Sequence, residues 1–140
     1  MATASTLALL SGAYFPFGAG VNMQVFTPHV TLPNGVRYLG KSRLGQEEND
    51  MPAFAETMSV THNLASTKRT TDQLKMVIKV PVVRSIDGVD TVIGVNFVEM
   101  SKRTLVETTQ AENERLYYLA RLVLADDDVG SAIMTNDVPR

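Results

Sequence analysis

Between Thr57 and Val83 the sequence alternates twice, first as Thr57-Met58-Ser59-Val60-Thr61 and then as Gln73-Leu74-Lys75-Met76-Val77-Ile78-Lys79-Val80. Successive side chains of a strand point to opposite faces, so residues two apart share a face. Met58, Val60, Leu74, Met76, Ile78 and Val80 then line one face, and Thr57, Ser59, Thr61, Gln73, Lys75, Val77 and Lys79 the other. The first face must be covered, because each large apolar side chain left in water forfeits about 1.5–3 kcal/mol. The second is hydroxyl-rich and basic, with Val77 its one apolar member. A sheet with one dry and one polar face is the frame into which the remaining segments must fit.

At 140 residues, with 44% hydrophobic and 20% charged residues, the chain has the composition of one globular domain. It divides by pattern into an N-terminal hairpin (1–33), a sheet segment (34–106) and a helical segment (107–140). Cysteine is absent, which removes disulfides and cysteine-based zinc sites. No apolar run approaches the roughly 20 residues that span a bilayer, so no membrane partner is expected. Thr6 to Leu10 lacks a basic flank and is read as structure rather than as a signal segment. The net charge of −2 hides an uneven layout: residues 1–46 hold no acid, whereas Glu107 to Pro139 holds seven against Arg115 and Arg121. An acidic total argues against indiscriminate polynucleotide binding and leaves room for a basic surface on one face.

Two extended segments, 2–10 and 20–32, flank the breaker-rich Phe15 to Gly20 and predict a hairpin. Pro28 and Pro33 confine the second segment to an edge or to loop ends. Asn34-Gly35 predicts a tight turn into a short strand, Val36 to Lys41, and Leu44 to Pro52 reads as a solvent loop. Long strands follow at Ala53 to Leu64 and Gln73 to Arg84. An Asp87-Gly88 turn then leads into a third, Val89 to about Lys102. Ile93, Val95 and Phe97 share one face of that strand, but Val98 and Met100 share the other, a mixture that predicts a bulge or twist.

Beyond Val106 the period changes. Thr109 with Glu112 three residues on is a capping-box pattern, and Leu116, Leu119, Ala120, Val123 and Leu124 form an apolar helical stripe. Tyr118, Leu122 and Ala125 widen it, so this helix needs two packing partners. Asp126-Asp127-Asp128 is read as the start of a short second helix running from Val129 to about Met134. Strands first and helices last is an α+β order. One helix pair cannot cover such a sheet, and an intertwined dimer, its sheets joined edge to edge and its helices crossed onto the partner, resolves the shortage.

Asn34-Gly35-Val36, Pro52-Ala53 leading into Thr57 to Thr61, Lys75 to Pro81, and Thr108-Thr109-Gln110-Ala111 opening a helix with Leu116, Tyr117 and Leu119 resemble, in order and spacing, the coat proteins of single-stranded RNA bacteriophages, the leviviruses. The resemblance covers Asn34 to Arg140. It implies an intertwined dimer that assembles in the bacterial host cytoplasm into a T=3 icosahedral capsid, the virion shell. Its sheet is expected to face a single-stranded viral RNA whose hairpin represses replicase translation. The RNA-contacting positions that it implies are Thr57, Ser59, Thr61, Gln73, Lys75, Val77 and Lys79, the polar face found by alternation. Arg43, Lys41 and Lys102 extend the positive charge, and Asn96 is the polar candidate on the third long strand, which offers no tyrosine. The dimer interface falls on Leu116, Leu119, Ala120, Val123 and Leu124. Lysines suit phosphates, and hydroxyls suit the edges of unstacked bases. Without cysteines the shell is expected to hold non-covalently.

Catalytic patterns are missing: His29 and His62 stand apart from any nucleophile motif, and phosphate-cradling loops and metal-spaced clusters are absent. Neither an enzyme nor a cofactor, metal or small-molecule substrate is expected. A dimeric RNA-binding regulator that stops short of a shell is the alternative with the same sheet face.

Overall fold

The computed structural model describes residues 7–10, 23–42, 54–66 and 70–138. Expectations placed on Phe15 to Gly20, on Arg43, on the loop with Glu47, Glu48 and Asp50, and on Lys68 and Arg69 lie outside the described residues, as do the side chains of Lys41 and of the two strands of the N-terminal hairpin before Phe26. The chain divides into two compact units, Met1–Arg103 and Thr104–Arg140.

Strands β1 (Leu7–Leu10), β2 (Met23–Leu32), β3 (Gly35–Ser42), β4 (Ala55–Asn63), β5 (Thr71–Ile86) and β6 (Val89–Leu105) form a six-stranded meander in chain order, which lies in the first unit except for Thr104 and Leu105 at the end of β6. The N-terminal hairpin forms, with Leu7 opposite Phe26 and Leu10 opposite Met23. β2 has neighbours on both sides, so it is not the edge strand its prolines suggested. The reason is local: among the described residues β1 pairs with Met23 to Phe26, and Pro28 stands at a register shift between Pro28 and Val30 on the β3 side. Proline is tolerated where a ladder is already interrupted.

Leu32 pairs with Gly35, so the two loop residues are Pro33 and Asn34, and Gly35 is already in strand β3. A Cβ there would collide with the Val60 carbonyl oxygen and stand 2.8 Å from Thr61 Cα. Glycine is needed at this position for close approach of β3 to β4, and Asn34 reinforces it by accepting from His62 N–H at 2.8 Å. Asp87 (φ 51°) and Gly88 (φ 79°) both take positive φ, the requirement of a type I′ hairpin turn.

The core lies on one face of the sheet. Phe26, Tyr38 and Met58 are buried there, with Val36, Val60 and Ile78 packed around them. At the far side β6 is the terminal strand, and its mixed pattern has a plain source: Val95 and Phe97 on one face and Val98 on the other are all exposed.

The second unit holds α1 (Gln110–Ala125) and α2 (Asp127–Thr135). Thr109 Oγ1 accepts from Glu112 N–H at 3.3 Å while Glu112 Oε2 accepts from Thr109 N–H at 2.9 Å, a complete capping box. Asp126 ends α1, its N–H donating to the Val123 carbonyl, and begins α2 by accepting from Asp128 and Val129 N–H. α2 therefore starts at Asp127, two residues before the expected Val129. Asn136, in the left-handed conformation, closes it. No residue of either helix is buried.

Candidate nucleic-acid interface

Partners directly opposite in an antiparallel pair share a face. The β4–β5 register sets Thr57 against Lys79, Ser59 against Val77, Thr61 against Lys75 and Asn63 against Gln73. Met58 against Ile78, Val60 against Met76 and His62 against Leu74 make up the other face. All seven strand residues expected on the polar face are thus brought together there. The β3 register adds Leu39 beside Thr57 and Arg37 beside Ser59. Rows of Leu39–Thr57–Lys79 and Arg37–Ser59–Val77 cross the face, with Gly35–Thr61–Lys75 next to them. Opposite each row lies an apolar one, Tyr38–Met58–Ile78 among them, so burial of the core fixes which side chains point the other way.

Hydroxyls and amides of β4 and β5 on this face are half-buried, whereas Arg37 and Lys79 are exposed. Lys79 makes no ion pair among the described residues. Lys75 differs: its Nζ lies 3.0 Å from Glu99 Oε1 on β6. Gln73 Nε2 donates to Ser101 Oγ at 3.0 Å, a second link between the same strands. These contacts put Glu99 and Ser101 on the polar face. The next residue of their parity is Phe97, exposed by 65%. Met100 and Lys102, the immediate neighbours of Glu99 and Ser101, take the opposite face. Lys102 therefore does not stand where the sequence reading put it.

Arg37 and Glu99 were missed. Counting from the two-residue Asp87-Gly88 turn hid Glu99, since it sets Met100 and not Glu99 opposite Lys75. Arg37 had no signal, because the long connection between β3 and β4 conceals their register.

On the helical stripe, Leu116 (42%), Leu119 (43%), Leu124 (47%) and Val123 (53%) are all exposed, with Ala120 between them. Arg121 lies over the Tyr117 ring at 5.6 Å on the flank. Among the described residues no group of three His, Cys, Asp or Glu side chains could hold a metal, and no helix is long and apolar enough to cross a membrane.

No protein-family model and no curated protein sequence matches the chain. Solved structures do. A virus-like particle of Beihai levi-like virus 21 matches at a TM-score of 0.78 with 12% identity, covering 97% of either chain. A virus-like particle of bacteriophage NT-214 matches at 0.73 with 18% identity and 98% of either chain. The capsid protein of bacteriophage GA matches at 0.65 with 11% identity, covering 93% of this chain and 94% of that one. The fold, an antiparallel meander followed by two helices, is that of levivirus coat proteins, matched over 93–98% of the chain.

Proposed function

We propose that this chain is a structural coat protein that dimerises and assembles into an icosahedral shell around single-stranded RNA. The observation that carries the reading is the coat-protein fold, matched over nearly the whole length of chains that form virus-like particles. Its role is structural, not catalytic, and its place is the virion, after assembly in the bacterial cytoplasm. Two features of the chain support the finer parts. Exposed apolar side chains on β6 and α1 need cover that a second copy supplies. The face carrying Arg37, Lys75 and Lys79 beside Thr57, Ser59 and Thr61 offers phosphate-neutralising cations and base-reading hydroxyls on one surface. A genomic hairpin bound there would serve translational repression as well as packaging.

Electron microscopy of the protein expressed alone in bacteria, with nucleic-acid content read by absorbance, tests the reading. Uniform spherical particles containing RNA are expected. Dimers alone, across several salts and with RNA added, would instead favour an RNA-binding regulator that does not assemble. Empty particles would keep the shell and remove the RNA role.

A further inference from the structure

The polar face contains one feature at odds with polyanion binding. Glu99 stands on that face by its contact with Lys75, whereas Glu56 and Asp72 alternate onto the other. A carboxylate beside the phosphate path repels it, so its position calls for a physical account. Glu99 is held to Lys75 at 3.0 Å, with the two side chains 39% (Lys75) and 46% (Glu99) exposed. Both ends of the pair are therefore accessible, and neither is locked by burial. Lys75 has a bound competitor in the free protein, whereas Lys79, four residues along the same strand and on the same face, has none among the described residues.

We propose that Glu99 is a specificity-determining residue of the RNA face, which holds Lys75 back from sequence-independent phosphate binding. The inference rests on the RNA reading above. When RNA arrives, Lys75 can reach a phosphate only by leaving Glu99. While Lys75 stays on Glu99 in a sequence-independent complex it neutralises no phosphate, so it releases no counterion from the RNA. Lys75 contributes little to general affinity until a ligand is held well enough, by contacts elsewhere, to displace the acid. Arg37 and Lys79 carry the unconditional part.

Counterion release makes the two lysines separable. Each net phosphate neutralised on a single strand steepens log K against log salt by about 0.7. Glu99→Gln frees Lys75, so binding of an unrelated single-stranded RNA should gain about one such increment. Exposed ion pairs are weak, and the accompanying gain is about two- to fivefold in affinity at low salt. Lys79→Ala should lose one increment. Lys75→Ala should leave the slope where it is.

The experiment is a filter-binding salt series with polyuridylate and the unassembled full-length protein, comparing wild type, Glu99→Gln, Lys79→Ala and Lys75→Ala combined with Glu99→Gln. A steeper slope in Glu99→Gln that disappears in the double variant, with a flatter one in Lys79→Ala, upholds the proposal. A flatter slope in Lys79→Ala with no change in Glu99→Gln overturns it and leaves the RNA face intact, the pair then being a strand-to-strand tie alone. A steepening that survives loss of Lys75 also overturns it, since the acid then acts through space and not on Lys75. Indifference of every variant removes the RNA face and the proposal together. Glu99→Ala, with the same expectation, replaces the glutamine variant if that one does not fold.

Discussion

Replacing Leu119 by alanine tests the helical stripe most directly. Leu119 is 43% exposed in the chain by itself, as Leu116 nearly is at 42%. Full burial of a leucine is worth about 1.5–3 kcal/mol, so covering the exposed part yields about 0.6–1.3 kcal/mol per copy. A twofold interface uses each residue twice, which gives about 1.3–2.6 kcal/mol per dimer. Alanine forfeits most of this, and the dimer dissociation constant should rise about 5- to 50-fold. Sedimentation equilibrium over a concentration series reads the change, with Glu114→Gln on the same helix as a control that should leave it alone. Shell yield should fall in parallel. Equal dissociation constants for Leu119→Ala and the control, with both proteins folded, would refute the placement of this stripe in the dimer contact.

Gly35→Ala should disrupt β3–β4 pairing, because the new methyl meets the Val60 carbonyl; Gly94→Ala, with open space around its Cβ position, should not. Thermal melting of the two variants side by side separates a steric cause from the general loss of glycine, and equal melting temperatures would contradict it. Met58→Ala should cost about 2–5 kcal/mol in urea denaturation, as expected for deleting a buried core side chain. That core is thin, with Phe26, Tyr38 and Met58 its buried cluster, so neighbours have little to collapse onto the gap. A shift well under the lower bound would mean that the site closes over the cavity.

The two faces of the sheet were legible because alternation over Met58–Val60 and Leu74–Val80 is long and clean, and a one-residue slip in register would expose the whole apolar set. The capping box was equally plain, since Thr109 and Glu112 sit at fixed spacing with the apolar stripe behind them. Register between strands joined by a long connection was not legible, which is why Arg37 escaped notice. Glu99 escaped notice for a different reason. β6 has exposed apolar residues on both faces, so hydropathy could not say which parity belongs with the lysines; the contacts of Glu99 and Ser101 decide it. Dipeptide preference misled at Asn34-Gly35, where close packing against Val60, and not turn geometry, fixes the glycine.

The edge of β6 carries the last argument. Val89–Leu105 is a 17-residue strand at the end of the sheet order, without proline, and with exposed apolar side chains on both faces. A long edge of this kind invites pairing with another chain. If a second copy of β6 completes the sheet, its whole row of N–H and C=O groups is used. Neighbouring residues of a strand direct these groups to opposite sides, so of Val95 and Asn96 one donates toward β5 and the other away from it. Proline removes the donor. On an open edge, proline at one of the two positions should break a β5 bond and at the other remove a donor that faces solvent, so one variant should remain as stable and as dimeric as the wild type. On a paired edge both substitutions should weaken the dimer. Sedimentation of Val95→Pro and Asn96→Pro distinguishes these outcomes, and one fully dimeric proline variant would show that the copies do not meet through β6.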